Sequence, residues 1–251
     1  MPVVPRSACG LSGQSTPPPP PHWQIRPPST LRRHVPPPRS GNHEIESFFG
    51  LNFVPYRARF RFPCAEGCDT DVFGLYYAVS IGPVRLIVMN SFGNYSAGSP
   101  QLAWAKKELA AVDLSVTPWV VLMEHTPMYC SNLDHFNSGK PLLALLEDDL
   151  LPLGKRMVVF AGHVHAYERT HAVYQDKLDA RGPTYVTIGD GGNREGLYAE
   201  WQDPKPVWSV TREAQYGHGI LRVNATNLVW EWHTVNTTEP VISDTFTLTA
   251  N

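Results

Sequence analysis

The chain has 251 residues, with 21 Lys and Arg against 23 Asp and Glu and a formal net charge of −2 at pH 7. No stretch approaches the roughly 20 consecutive apolar residues of a membrane-spanning helix. The near-neutral balance gives no basic surface for nucleic acid, since the basic excess is confined to one end of the chain.

That end is residues 1–40. It holds twelve of the 24 prolines, including the runs Pro17–Pro21 and Pro36–Pro38, and it contains Arg6, Arg26, Arg32, Arg33 and Arg39 but no Asp, Glu or Tyr. Its formal charge is therefore +5, which leaves −7 on residues 41–251. Proline runs favour polyproline II and build no packed core, so the segment is predicted to be disordered. A ligand for an SH3-type domain is a second use of such a composition, but an alternative start or a faulty gene model suits it better. Met1–Ser40 also shows no apolar h-region of a secretory signal.

From Gly41 onward the pattern is that of one globular domain, 41–251. Val84–Met89, Val120–Met123, Met157–Ala161 and Thr184–Ile188 are near-continuous apolar runs bounded by Gly or Pro, which read as buried strands. Between them, Ser99-Pro100 is an N-cap followed by a first-turn proline. Leu102, Ala105, Leu109 and Val112 then recur at the spacing of one buried helical face. Pro141–Leu151 reads as the next helix, and Leu228-Val229-Trp230-Glu231-Trp232 as a closing antiparallel strand. Strands alternating with helices predict an α/β layered fold.

Three segments place coordinating side chains at boundaries of these elements. The first is Gly41-Asn42-His43-Glu44. The second is the strand ending Glu124-His125, where Thr126-Pro127 stops it, and the third is Gly162-His163-Val164-His165 after Met157–Ala161. Residues two apart on an extended segment share a face, so both imidazoles of the third segment can reach one metal, and imidazole is a favoured ligand for zinc, iron, nickel and copper.

These segments resemble the purple acid phosphatases, a branch of the binuclear metallophosphoesterases, whose signature includes GNH[DE], VxxH and GHxH in that order. Phe53–Phe60, Ala166–Thr170, Tyr185–Gly196 and Tyr216–Ile220 also resemble plant members, so the likeness runs from about residue 41 to the C-terminus. It implies a metallophosphoesterase-like sandwich of two mixed sheets flanked by helices, incomplete at its N-terminal part. Two motifs of the family, GDxG and GDxxY, do not occur ahead of Gly41, where the family carries them; Gly189-Asp190-Gly191-Gly192 fits the letters of the first but follows GHxH. In the family they supply two aspartates and the tyrosine whose charge transfer to iron(III) gives the colour. Only Cys9, His22 and His34 of residues 1–40 carry ligand atoms.

Carried over by motif, Asn42, His125 and His163 are the divalent-metal ligands and His165 is the remaining ligand of the iron(III) site. Leu122 stands where VxxH has its valine. His43 and His135 resemble the histidines that contact phosphate or protonate the leaving alcohol, so they are the expected catalytic residues. Asp134 replaces a histidine common before the latter, which sets a negative charge near an anionic substrate. The implied activity is that of an acid phosphatase acting on phosphate monoesters, with iron and zinc, manganese or a second iron about 3.5 Å apart and a metal-bound hydroxide as nucleophile. The four surviving ligands are all neutral. Cation repulsion without a bridging carboxylate costs several kcal/mol even at an effective dielectric of about 20. The expectation is therefore at most one divalent metal, such as zinc on His125, His163 and His165, and the alternative is a non-catalytic fragment or pseudoenzyme that retains a phosphate- or metal-binding surface.

Other polar residues read more simply. His171 and His233 are expected to be solvated or satisfied in the core, and Glu44 to orient a neighbour. Strand alternation points Glu124 away from His125, and Asp190–Asn193 reads as a tight turn. Cys64 and Cys68 suit a small disulfide loop or a metal clip, whereas Cys9 and Cys130 have no partner in the pattern. Asn94, Asn224 and Asn236 open glycosylation sequons, which with the resemblance implies a secreted or vacuolar glycoprotein. The expected partner is the phosphate monoester, with neither nucleic acid nor membrane; oligomeric state is not readable.

Overall fold

The computed structural model describes residues 23–24 in backbone only, together with 41–45, 52–59, 75–235 and 241–250. The rest of the Pro-rich segment, the Cys64/Cys68 pair and the Asn236 sequon lie outside the described residues. In chain order the first strands are β1 (Trp23–Gln24), β2 (Tyr77–Ile81), β3 (Val84–Val88), β4 (Trp119–Met123), β5 (Met157–Ala161) and β6 (Tyr167–Tyr174). They are followed by β7 (Lys177–Leu178), β8 (Thr184–Ile188), β9 (Ser209–Glu213), β10 (Gly217–Val223), β11 (Asn227–Thr234) and β12 (Val241–Thr249). The helices are α1 (Val54–Arg59), α2 (Pro100–Ala110) and α3 (Lys140–Leu150).

An eight-stranded mixed sheet has the order β2-β3-β4-β5-β8-β6-β7, with β9 pairing β6. Its centre, β3 to β8, is parallel, as the continuous apolar runs require, and β2 and β6 flank it antiparallel. The second sheet, β1-β10-β11-β12, is antiparallel at every described pairing. Among the described residues no helix is long and apolar enough to cross a membrane.

Two layers of apolar contact cover the mixed sheet. On one face Ile87, Val120, Leu122 and Val159 pack against Leu102, Ala105 and Leu109 of α2 and Leu142, Leu146 and Leu150 of α3. Ser99 Oγ accepts from the Leu102 N–H at 3.3 Å, so the N-cap read from the sequence is formed. On the other face Val121, Val158, Phe160 and Val186 meet Val223, Leu228, Trp230 and Trp232 of the second sheet. Strand alternation sends Trp230 and Trp232 of β11 inward together.

The two sheets are also tied by a polar seam. Asp244 on β12 accepts from Arg169 Nε at 2.6 Å and Nη2 at 2.8 Å, from Tyr167 Oη at 2.6 Å and from Thr211 Oγ1 at 3.1 Å. Tyr167 Oη in turn accepts from Trp230 Nε1 at 3.0 Å. Burial would raise the Asp244 carboxyl, but the hydrogen bonds from Arg169 and Tyr167 outweigh it and hold the group below its usual range. Removing one partner of such a pair strands the other's charge in a poorly hydrated seam. Asp244→Ala is therefore expected to cost about 3 kcal/mol, measured by urea unfolding.

Candidate metal centre

The parallel centre of the mixed sheet fixes where the ligand loops emerge. Met123 is opposite Phe160 and Ala161 opposite Thr187, so β4, β5 and β8 end side by side. His125 lies two residues beyond β4 and His163 two beyond β5. The Gly162 N–H donates to His125 O at 3.1 Å, joining the two loops directly.

Each loop has its own buried support. Glu124, fully buried, accepts from Ser91 Oγ at 2.8 Å and Thr126 Oγ1 at 3.2 Å, while Ser91 Oγ accepts the N–H groups of His125 at 2.8 Å and Thr126 at 3.1 Å. This carboxylate thus holds the turn that carries His125. His163 has φ +61, so the two histidines of Gly162–His165 are presented by a left-handed bend rather than by an extended strand. A Cβ on Gly189 would lie 1.9 Å from Val164 O, so only glycine lets β8 run under that bend.

The six residues expected at the site come together. Asn42 Oδ1 and His125 Nε2 are 3.1 Å apart, and the His125 and His163 rings are 4.9 Å apart between centroids. His135, at φ +54, stacks on His163 with centroids 3.8 Å apart. Tyr198 lies 5.6 Å from His135 and stacks on His165 at 4.4 Å, and Phe92 lies tilted against the His125 ring and edge-on to the His163 ring. His43 closes the circle, because its Nε2 is 3.6 Å from one oxygen of Glu195 while His165 Nε2 is 3.7 Å from the other.

Glu195 and Tyr198 were not singled out by sequence reasoning, although Glu195 stands inside Tyr185–Gly196. Their placement is tertiary: the Asn193 side chain accepts from the N–H groups of Glu195 and Gly196 and turns the carboxylate inward. Asn132 donates to Tyr198 O at 3.0 Å, and Leu133 N to Glu200 O at 2.8 Å, strapping the His135 loop to this segment. Buried Glu168 anchors the other side of that loop through Ser131 N at 2.7 Å and Ser209 Oγ at 2.6 Å. Gly41 is pressed against His125, where an added Cβ would come within 2.7 Å of Cε1, and its N–H donates to Glu44 at 2.6 Å, the orienting part expected of Glu44.

Electrostatics suit ligation at His163. Burial, then the charges of His135, His165 and His43, lower its pKa to about 4, so the ring is neutral and its lone pair available at higher pH. His165 Nδ1 faces Gly196 O at 3.1 Å; a carbonyl only accepts, so Nδ1 carries the hydrogen and Nε2 points toward Glu195.

Asn42, His125 and His163 are neutral oxygen and nitrogen donors that fit one divalent cation. Among the described residues these three and His165 supply no anionic bridge between two cations. Among the described residues no group of three His, Cys, Asp or Glu side chains is arranged to hold a metal ion, so the three-histidine zinc set is not preformed, and the one carboxylate near the second position is Glu195.

A calcineurin-like phosphoesterase model matches residues 35–167, and one for the iron/zinc purple acid phosphatase-like protein C region matches 182–244. The fold and the loops at its strand ends are those of a metallophosphoesterase. Within that class, the chain belongs to the purple acid phosphatase family. It is 44% identical over 207 residues to purple acid phosphatase 18 of Arabidopsis thaliana, covering 81% of this chain and 47% of that protein. It is 35% identical over 210 residues to the Fe(3+)-Zn(2+) purple acid phosphatase 12 of the same plant, covering 77% and 44%. Among solved structures it resembles the purple acid phosphatase PPD1 of yellow lupin, with a TM-score of 0.68 and 26% identity over 84% of this chain and 40% of that one. The chain spans about half the length of the curated relatives it matches.

The turn after β8 holds a further titratable group. Asp190 is 1% exposed and accepts from Trp232 Nε1 at 2.7 Å, so it anchors the second sheet instead of lining the site. Burial pushes its carboxyl up to about 6 against the indole hydrogen bond. A raised carboxyl stabilises the protonated fold, and that contribution is lost as pH rises from about 4 to 6. Asp190→Asn, whose amide oxygen also accepts from the indole, is expected to gain stability relative to the parent over that interval. The gain should reach about 3 kcal/mol above it, read from urea unfolding at several pH values.

Proposed function

We propose that the chain carries the metal and phosphate subsites of a phosphomonoesterase. Asn42, His125 and His163 hold a divalent cation and His165 enters a second position. The support is the closed circuit of Asn42, His125, His163, His135, His165 and His43 at the end of one parallel sheet. When bound, the metal supplies Lewis-acid polarisation of the phosphoryl oxygen and acidifies water.

The rest is the work of side chains. His163 stays neutral down to about pH 4 and so keeps its ligand lone pair at acidic pH. His135, exposed and stacked on His163, faces the departing alcohol and gives it a proton, while His43 meets the phosphate from the opposite side. Asp134 and Glu195 make the rim unfavourable to polyanionic esters. Phe92 covers one side of the two central imidazoles.

The neutral donor set favours a second reading, in which the chain binds a single metal or phosphate without turnover. Metal analysis with a p-nitrophenyl phosphate assay on the purified chain separates the two. Acid-pH turnover that His163→Ala lowers by at least about a hundredfold supports the enzyme, whereas one metal or none with no turnover supports the binding surface. No visible charge-transfer band is expected after iron reconstitution, because the family's tyrosine motif does not occur; a purple sample would contradict that.

A secreted or vacuolar setting also belongs to this reading. Asn94 is exposed at its sequon, and Asn224 lies in a turn where its side chain accepts from the Thr226 N–H and hydroxyl. The domain division at residue 41 follows from the same family pattern.

A further inference from the structure

The histidine loops leave one end of the mixed sheet, and the other end is built by the segments that enter the same strands. β4 is entered from the loop that carries Leu114, β5 from the 3-10 helix Leu151–Arg156, and β8 from the loop that carries Arg181. Val120 is opposite Met157 and Val158 opposite Thr184, so these parallel strands also start side by side, and the three segments meet at the end opposite His125 and His163. Gly154 sets how closely: a Cβ there would lie 2.0 Å from Arg181 O, so the 3-10 helix packs directly on the Arg181–Gly182 backbone.

Between the segments lies a cavity of about 520 Å³. Leu114, Leu151, Pro152 and Leu153 form its apolar wall and Lys155, Arg156 and Arg181 its polar one; among the described residues no carboxylate lines it. Asp113 and Asp179, beside this lining, have partners of their own. Asp113 Oδ1 accepts from the Ser115 N–H at 2.8 Å and hydroxyl at 2.6 Å, and Asp179 takes one side of Arg181 through Nε at 3.0 Å and Nη2 at 2.7 Å. Lys155 is exposed, and Arg156 is partly buried with its guanidinium 5.7 Å from the centroid of the Trp119 ring. Among the described residues neither joins an ion pair. Two uncompensated cations and a third half offset by Asp179 therefore face one apolar wall, and their mutual repulsion is relieved by an entering anion.

We propose that this cavity binds an organic phosphate monoester with an aliphatic body, its head among Lys155, Arg156 and Arg181 and its body along Leu114, Leu151 and Leu153. The volume falls within the range of small-molecule sites, which combine an apolar lining with a few polar groups that fix orientation. Charge selects the head: a phosphate monoester carries about −1.5 to −2 at neutral pH, which two free cations match, whereas a carboxylate supplies a single charge. The guanidinium fork of Arg156 suits two phosphate oxygens at once, and the Lys155 ammonium meets a third as a point charge. The site lies at the far end of the sheet from the histidines and needs no metal there, so it stands apart from the phosphomonoesterase reading above.

The test is a calorimetric titration of the full chain with octylphosphonate, which has the head and the chain but no ester bond to hydrolyse. EDTA is present throughout, and hydrogen exchange is followed in parallel. Saturable binding that slows exchange in Leu151–Arg156 about tenfold or more is expected. Lys155→Glu and Arg181→Gln, both at exposed positions, should each weaken it at least about tenfold with an unaltered melting temperature, while His163→Ala should leave it unchanged. Inorganic phosphate should bind at least about tenfold more weakly than octylphosphonate, because it lacks the apolar body. Absence of protection in Leu151–Arg156, or binding that His163→Ala abolishes and Lys155→Glu spares, overturns the proposal. Equal binding of octyltrimethylammonium, which shows a merely apolar cavity, or of inorganic phosphate, which shows a merely basic one, overturns it as well.

Discussion

Parallel register between β4 and β5 is the constraint on which the site rests. With Leu122 opposite Val159 and Met123 opposite Phe160, the two chains leave the sheet one strand spacing apart. His125 and His163, remote in sequence, then emerge with ring centroids 4.9 Å apart. The register is itself enforced by burial on both faces, since a slip of one residue would exchange the side chains facing α2 and α3 with those facing Trp230 and Trp232.

Three buried carboxylates do structural work around this frame. Glu124 holds the His125 turn through Ser91, Glu168 holds the His135 loop through Ser131, and Asp190 holds β11 through the Trp232 indole. Each accepts from hydroxyl, amide or indole donors, which offsets part of the cost of burying such a group. They differ in consequence. Asp190 has one side-chain donor and its carboxyl is raised, whereas Asp244, with four donor contacts, is held low in spite of burial.

At the mouth the chemistry differs, because several imidazoles are crowded together there. Burial and the neighbouring histidines keep His163 neutral, and the left-handed backbone at His163 and His135 is sustained by the loops strapped beneath them. Glu195, reaching toward both His43 and His165, is the local counter-charge. A cation between Asn42, His125 and His163 would meet little opposing charge from these three ligands.

Much of this was legible in the amino-acid order. The continuous runs at Val84, Val120, Met157 and Thr184 mark parallel core strands, Ser99-Pro100 opens α2, and the three histidine-bearing loops follow from apolar runs ended by glycine or proline. Local rules suffice for these because the signal lies within a few neighbouring residues. Glu195, Tyr198 and the supports at Ser91, Glu168 and Asp244 were invisible, since each acts on a partner tens of residues away. Strand alternation does not describe the bend that presents His163: its left-handed φ stands beside a close approach of the Gly189 backbone to Val164 O, a contact between segments that no local pattern encodes. Sequence by itself determined the elements and the ligand types; tertiary packing decided which of them meet, because only the sheet register brings distant strand ends to one edge.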